Sequence, residues 1–410
     1  MSRSAADLLP TRGTRFKLLA VPASMGGRPE VVHVGGRIRP GPADGDIQVI
    51  RTRDLKIPYR HPSTGRPLWT PPLPLGERLP PLGARRGHFD AWAPGTQEFG
   101  ATAAFATVRM VLLVWEHYLD RPLLPWFFAR SHDRLELLPH VRSDNAWSGE
   151  GFIELGFRDP RTREMPYCEE FDIVAHETGH LILRTVMGAV ADDRRPLAVR
   201  AHEEAAADMV ALLAGLHFDS MVDRLLAETR GRLFSKNILS DIGGYRRLFN
   251  PNRFTKTMRQ QAWTDFDQHT YALPFSGACF DLLVEVFERH LVARGAIPRA
   301  LAGRSRHRPG RALPRAERVY QVAHFREAFG RRPEAFKVAL LDARDDLGRL
   351  LAHAWRLGAA PGFSFATAVA NLLRADRALF GGRHGAMIRA TFAGRGIEAD
   401  PGHRDLPPPR

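Results

Sequence analysis

The sequence predicts an α+β protein of two lobes, the first β-rich and the second mainly helical. Three observations lead there. Short β-type runs, Phe16–Val21, Glu30–Val34 and Asp46–Ile50, lie among the many prolines and glycines of residues 14–95. After Asp172 the apolar spacing is almost all helical, over 172–188, 198–217, 219–233, 277–293, 316–329, 333–355 and 364–379. At 410 residues the chain is long enough to bury a substantial core and to divide into two lobes. Strands gathered first and helices afterwards form the α+β pattern.

Taken in order, residues 1–13 and 398–410 are rich in Pro, Gly and Arg and are expected to be disordered. A first lobe is expected over 14–170, with Ala101–Leu119 as an amphipathic helix and Leu135–Phe157 as strands. A helical lobe over 171–397 follows, and no internal repeat is present. No run of 18 apolar residues occurs, so no membrane span is expected. The segment Met1–Pro10 lacks the apolar stretch of a signal peptide, which points to the cytoplasm. Two cysteines, Cys168 and Cys279, do not make a disulfide framework.

The net charge of +14 invites a nucleic-acid partner. The distribution argues against one. Of the 59 basic residues only five are lysines, and they are scattered except in Arg304-Ser-Arg-His-Arg-Pro-Gly-Arg311. That run has no aromatic residues and no regular spacing, and reads as a solvated loop.

The chemistry lies in His176-Glu177-Thr178-Gly179-His180. Histidines four residues apart on a helix project from one face, so both imidazoles can bind one zinc ion. Glu177 then stands beside the open coordination position, where a carboxylate can take a proton from a metal-activated water. With 17 histidines in 410 residues, chance alone gives such a pentapeptide about 0.04 times per chain. A third ligand is therefore the deciding feature.

It is found on the alanine-rich stretch 201–215, which reads as a helix. Glu204 and Asp208 stand at i and i+4. Glu204 can ligate zinc while Asp208 accepts the second N–H of a ligating histidine and so fixes its tautomer. Glu203 has no carboxylate four residues on, and His202 points off that face, so Glu204 is preferred. Phe275, Cys279 and Phe280 are expected in the core.

These motifs, in this order over roughly 95–290, resemble the thermolysin-type gluzincins. Asp144-Asn-Ala-Trp147 with Phe152–Phe157 is similar to the family's edge strand, which pairs with substrate backbone. The zinc helix, Glu204-x-x-x-Asp208 and Ser276-Gly277 at the start of a helix over 278–289 follow in the family's order. Arg246-Arg-Leu-Phe-Asn-Pro251 is a weaker match to a block whose arginine grips a substrate carbonyl. The resemblance implies a two-lobe zinc metallopeptidase with the site between the lobes. His176, His180 and Glu204 would hold zinc, Glu177 would be the general base, Asn145 and Ala146 would align an extended peptide, and Arg246 would position its carbonyl.

The departures are specific. Leu273 occupies the place of the family's oxyanion-stabilising histidine, with His269 and Tyr271 just upstream. Tyr271 is slightly favoured as the substitute, because a phenol donates at any pH below about 10 while a neutral histidine must hold one tautomer. The family's tyrosine ahead of the third ligand is missing from Asp192-Asp-Arg-Arg-Pro196. The calcium-binding carboxylates are missing from Leu216-His-Phe-Asp-Ser220, so calcium binding is not supported. An alternative expectation is a zinc-binding module for peptides or proteins that has lost hydrolysis.

Overall fold

The backbone changes character part-way along the computed structural model, which describes residues 8–52, 78–188, 195–235, 237–241, 268–304, 314–358 and 363–399. Two units cluster separately, Met1–Arg194 and Arg195–Arg410. The Arg246 block and most of the 304–311 run lie outside the described residues.

The first unit opens with a hairpin. Strand β1 (Thr14–Leu18) pairs antiparallel with β2 (Glu30–Val34), Phe16 facing Val32. Phe16 is fully buried and stacks on Phe89 and Phe105 at 5.1 and 5.5 Å between ring centroids. A four-stranded sheet follows in the order β3 (Ile47–Val49), β4 (Leu135–Leu138), β6 (Phe152–Leu155), β5 (Ala146–Gly149). Strand β4 runs parallel to both β3 and β6, and β5 closes the sheet antiparallel to β6. Gly151, at φ +79°, makes the β5–β6 turn, where a side chain would be strained and would strike His132. A short hairpin of β7 (Phe157–Asp159) and β8 (Glu164–Pro166) leads on.

Helix α1 (Gln97–Leu119) begins four residues before its expected start, because the Thr96 hydroxyl caps it by accepting the Phe99 N–H at 3.1 Å. It is buried on nearly every side rather than amphipathic, since β1, β2, β3, β4 and helix α2 (Phe171–Met187) all pack on it. Arg109 reaches from α1 to Asp44 and Asp46 at 2.7 and 3.1 Å, tying it to the start of β3. Helix α2 packs on α1, β5 and β6 and so clusters with the first unit, whereas the sequence expectation placed it in the second lobe.

In the second unit every described element is a helix: α3 (Leu197–Gly215), α4 (Asp219–Thr229), α5 (Ile238–Asp241), α6 (Gln268–Ala293), α7 (Arg315–Arg331), α8 (Pro333–Arg356), α9 (Phe365–Phe380) and α10 (Gly385–Gly394). Helix α6 is the axis, packed against α3, α8 and α10. It starts nine residues before the expected start at 277 and carries Pro274 inside. Proline there forgoes one backbone bond. Burial of Phe275, Ala278, Cys279 and Phe280 just beyond it favours the continuous helix. The sequence reading did not anticipate α10. Beyond its end, buried Arg395 reaches Asp281 of α6 through two nitrogens at 2.7 and 3.0 Å.

Two described helices, Gln97–Leu119 and Gln268–Ala293, are long and apolar enough to cross a membrane. In each, 83% of the most apolar window is buried inside the protein, so packing already accounts for its composition. Cys168 and Cys279 are both free and buried.

Candidate functional site

One helix presents both candidate histidine ligands. His176 and His180 stand one turn apart on α2, and their Nε2 atoms lie 3.1 Å apart with the rings nearly perpendicular. Two nitrogens bound tetrahedrally at the usual zinc distance would be about 3.3 Å apart. The pair therefore suits a shared ion almost without rearrangement. Glu177 lies between them in sequence and is only 7% exposed. Below the motif, Arg184 donates to the Ser148 carbonyl at 3.4 Å, which ties α2 to strand β5.

Strand β5 is the end strand of its sheet, and Ala146 opens it opposite Leu155. Asn145 immediately precedes it. The Asn145 N–H bonds the Ser143 hydroxyl at 3.2 Å, and its carbonyl accepts from Gly156 at 3.1 Å. The residues singled out for peptide alignment thus sit at a sheet edge.

The start of α2 carries an unusual load. Glu169, Glu170 and Asp172 are all buried. Burial, then the nearby Asp172 and Glu169 carboxylates, push Glu170 up to about 8. Burial pushes Glu169 up to about 7, opposed by the Gly95 N–H, which it accepts at 2.9 and 3.1 Å.

In the second unit, α3 sorts its two adjacent glutamates. Arg195 forms a buried ion pair with Glu203. Glu204 instead meets the first residues of α6. The Gln268 Nε2 donates to its Oε1 at 2.7 Å, and the His269 Nδ1 lies 2.8 Å from its Oε2, off the line of a good hydrogen bond. Asp208, one turn on, is met by the Ser276 hydroxyl at 3.4 Å. His202 is wedged edge-on between Phe275 and Phe363, and burial presses it down to about 4. A neutral ring in an aromatic box is a core residue. Tyr271 stacks its ring on Phe365 at 5.3 Å. Arg246 lies outside the described residues.

Three residues escaped the sequence reading: Arg195, Arg200 and Gln268. Only the i,i+4 spacing of Arg200 and Glu204 gave any signal, and a helical salt bridge would have explained it.

No protein-family model matches this chain, and no curated protein matches it.

Proposed function

We propose that this chain is a zinc-dependent peptidase of thermolysin-like, two-lobe type, with His176, His180 and Glu204 holding the ion. The observation that carries the reading is the His176–His180 pair, whose Nε2 atoms converge to 3.1 Å on the helix that also bears the buried Glu177. Glu203, committed to Arg195, is the poorer third ligand. Glu204 meets the Gln268 amide and the His269 ring rather than the guanidinium that Glu203 takes.

Zinc in such a site supplies a Lewis acid that acidifies a water and polarises the scissile carbonyl. Glu177 would serve as the general base, taking a proton from the attacking water and passing it to the departing amine. The strand edge at Ala146 offers backbone groups that pair with an extended peptide, and side-chain pockets then set preference. Asp208, one turn beyond Glu204, is the residue that would accept the second N–H of a ligating imidazole. His269, beside Glu204, and Tyr271, whose ring stacks on Phe365, remain the two candidates for the oxyanion donor. Arg246 is retained as the carbonyl-gripping residue on the resemblance alone.

The test is digestion of a peptide library by the purified protein with and without a chelator, alongside metal analysis. Zinc near one per chain, lost in His180→Ala and in Glu204→Ala, together with chelator-sensitive cleavage, is the expected result. Full zinc in Glu204→Ala would transfer the ligand role to Glu203. Zinc without cleavage would favour the peptide-binding module.

A further inference from the structure

We infer that Gln268 is a positioning residue for the metal ligand Glu204, held in its working orientation by Arg200; the inference rests on the zinc reading above. Arg200 and Glu204 lie four residues apart on α3 and share a face. Gln268, the first residue of α6, bridges them. Arg200 Nη1 donates to the Gln268 Oε1 at 3.1 Å, and the Gln268 Nε2 donates to the Glu204 Oε1 at 2.7 Å.

The direction of this relay is fixed by chemistry. A guanidinium only donates and a carboxylate only accepts. The amide must turn its oxygen to Arg200 and its nitrogen to Glu204. Rotated by half a turn, it would set donor against donor and oxygen against oxygen. Arg200 thus selects the amide orientation that serves Glu204.

The neighbouring glutamate shows why an amide stands there. Glu203 is paired directly with an arginine, which neutralises it. An equally direct arginine on Glu204 would compete with a cation for the same charge. Passing through Gln268, the guanidinium fixes the carboxylate's rotation and leaves its charge in place. A carboxylate that gives one oxygen to an ion needs such an outer partner, and loss of one typically costs 10–100-fold in metal affinity.

The experiment uses the full chain as wild type, Gln268→Leu, Arg200→Ala and Arg200→Lys. Zinc affinity is read by chelator competition, and ligand geometry by the visible absorption of the cobalt(II)-substituted proteins. Gln268→Leu should hold zinc about 10–100-fold more weakly, with altered cobalt bands. Arg200→Ala should move both readouts the same way by less, and Arg200→Lys should restore them. Melting of the metal-free variants should match wild type, which separates positioning from folding. Wild-type affinity and an unchanged cobalt spectrum in Gln268→Leu would overturn the inference. Should Gln268→Leu fail to fold, the half-buried Arg200→Ala decides alone, and wild-type behaviour in it overturns the proposal. A wild-type chain that takes up no zinc would instead overturn the zinc reading itself.

Discussion

The histidine half of the candidate centre is built by one helix, whereas the carboxylate half is built by two. His176 and His180 need only the pitch of α2 to bring their nitrogens to 3.1 Å. Glu204 gets its setting from α3 for Arg200 and from α6, 64 residues on, for Gln268. A local pair survives any disturbance that leaves its helix intact. A setting assembled from two helices depends on their packing and can be lost while both helices persist. The carboxylate half is therefore where sensitivity to remote mutation should concentrate.

The largest expected effect separates metal binding from chemistry on the histidine half. Glu177 is buried beside both histidines in sequence yet has no assigned ligand role. Glu177→Gln should keep zinc and lose peptide hydrolysis by several orders of magnitude. A single-turnover assay with matched zinc content reads this directly. Cleavage at near the wild-type rate would remove the general-base role and leave the helix as a binding element only.

A smaller effect probes the carboxylate half. His269 lies 2.8 Å from Glu204, while the Tyr271 ring stacks on Phe365. His269→Ala should lower kcat by about 10²–10³ if it supplies the oxyanion donor. Tyr271→Phe keeps the stacked ring and should change kcat little. The reverse order of effects would return the donor role to Tyr271.

The same contrast explains what could be read in advance. The strands along 14–50 and most of the helices after 171 follow from local periodicity, and these elements lie close to where that periodicity puts them. The start of α6 was not legible, because Pro274 and Ser276-Gly277 read as a break that burial overrides. Helix α1 reads as amphipathic only while its neighbours are unknown. At the site, the histidine spacing is visible in five residues. The Arg195–Glu203 pair and the Gln268 bridge are tertiary facts with no short-range pattern.

The smallest effect asks whether the histidine half is as self-contained as it looks. Its helix begins on the buried carboxyls Glu169, Glu170 and Asp172. Glu170 and Glu169 are pushed up to about 8 and about 7, chiefly by burial, from about 4.3 in an unfolded chain. The folded protein thus keeps protons that the unfolded chain has released. The associated stability is complete below about pH 4.3 and is lost as pH rises through 7 to 8. Half-buried His140 and buried His202 and His384 act in the opposite sense. Each is pressed down to about 4, first by burial, so their contribution is lost as pH falls below about 6.5. Above about pH 7 those histidines are neutral in both states, while the carboxyls and the buried thiols of Cys168 and Cys279, both pushed up chiefly by burial, act in one sense. Urea unfolding of the metal-free protein should therefore show stability falling by about 2 kcal/mol between pH 7 and 8.5. Glu170→Gln keeps the shape, stays neutral throughout and should flatten about half of that slope. An unchanged slope in Glu170→Gln would place the titration elsewhere and leave α2 independent of the charge at its start.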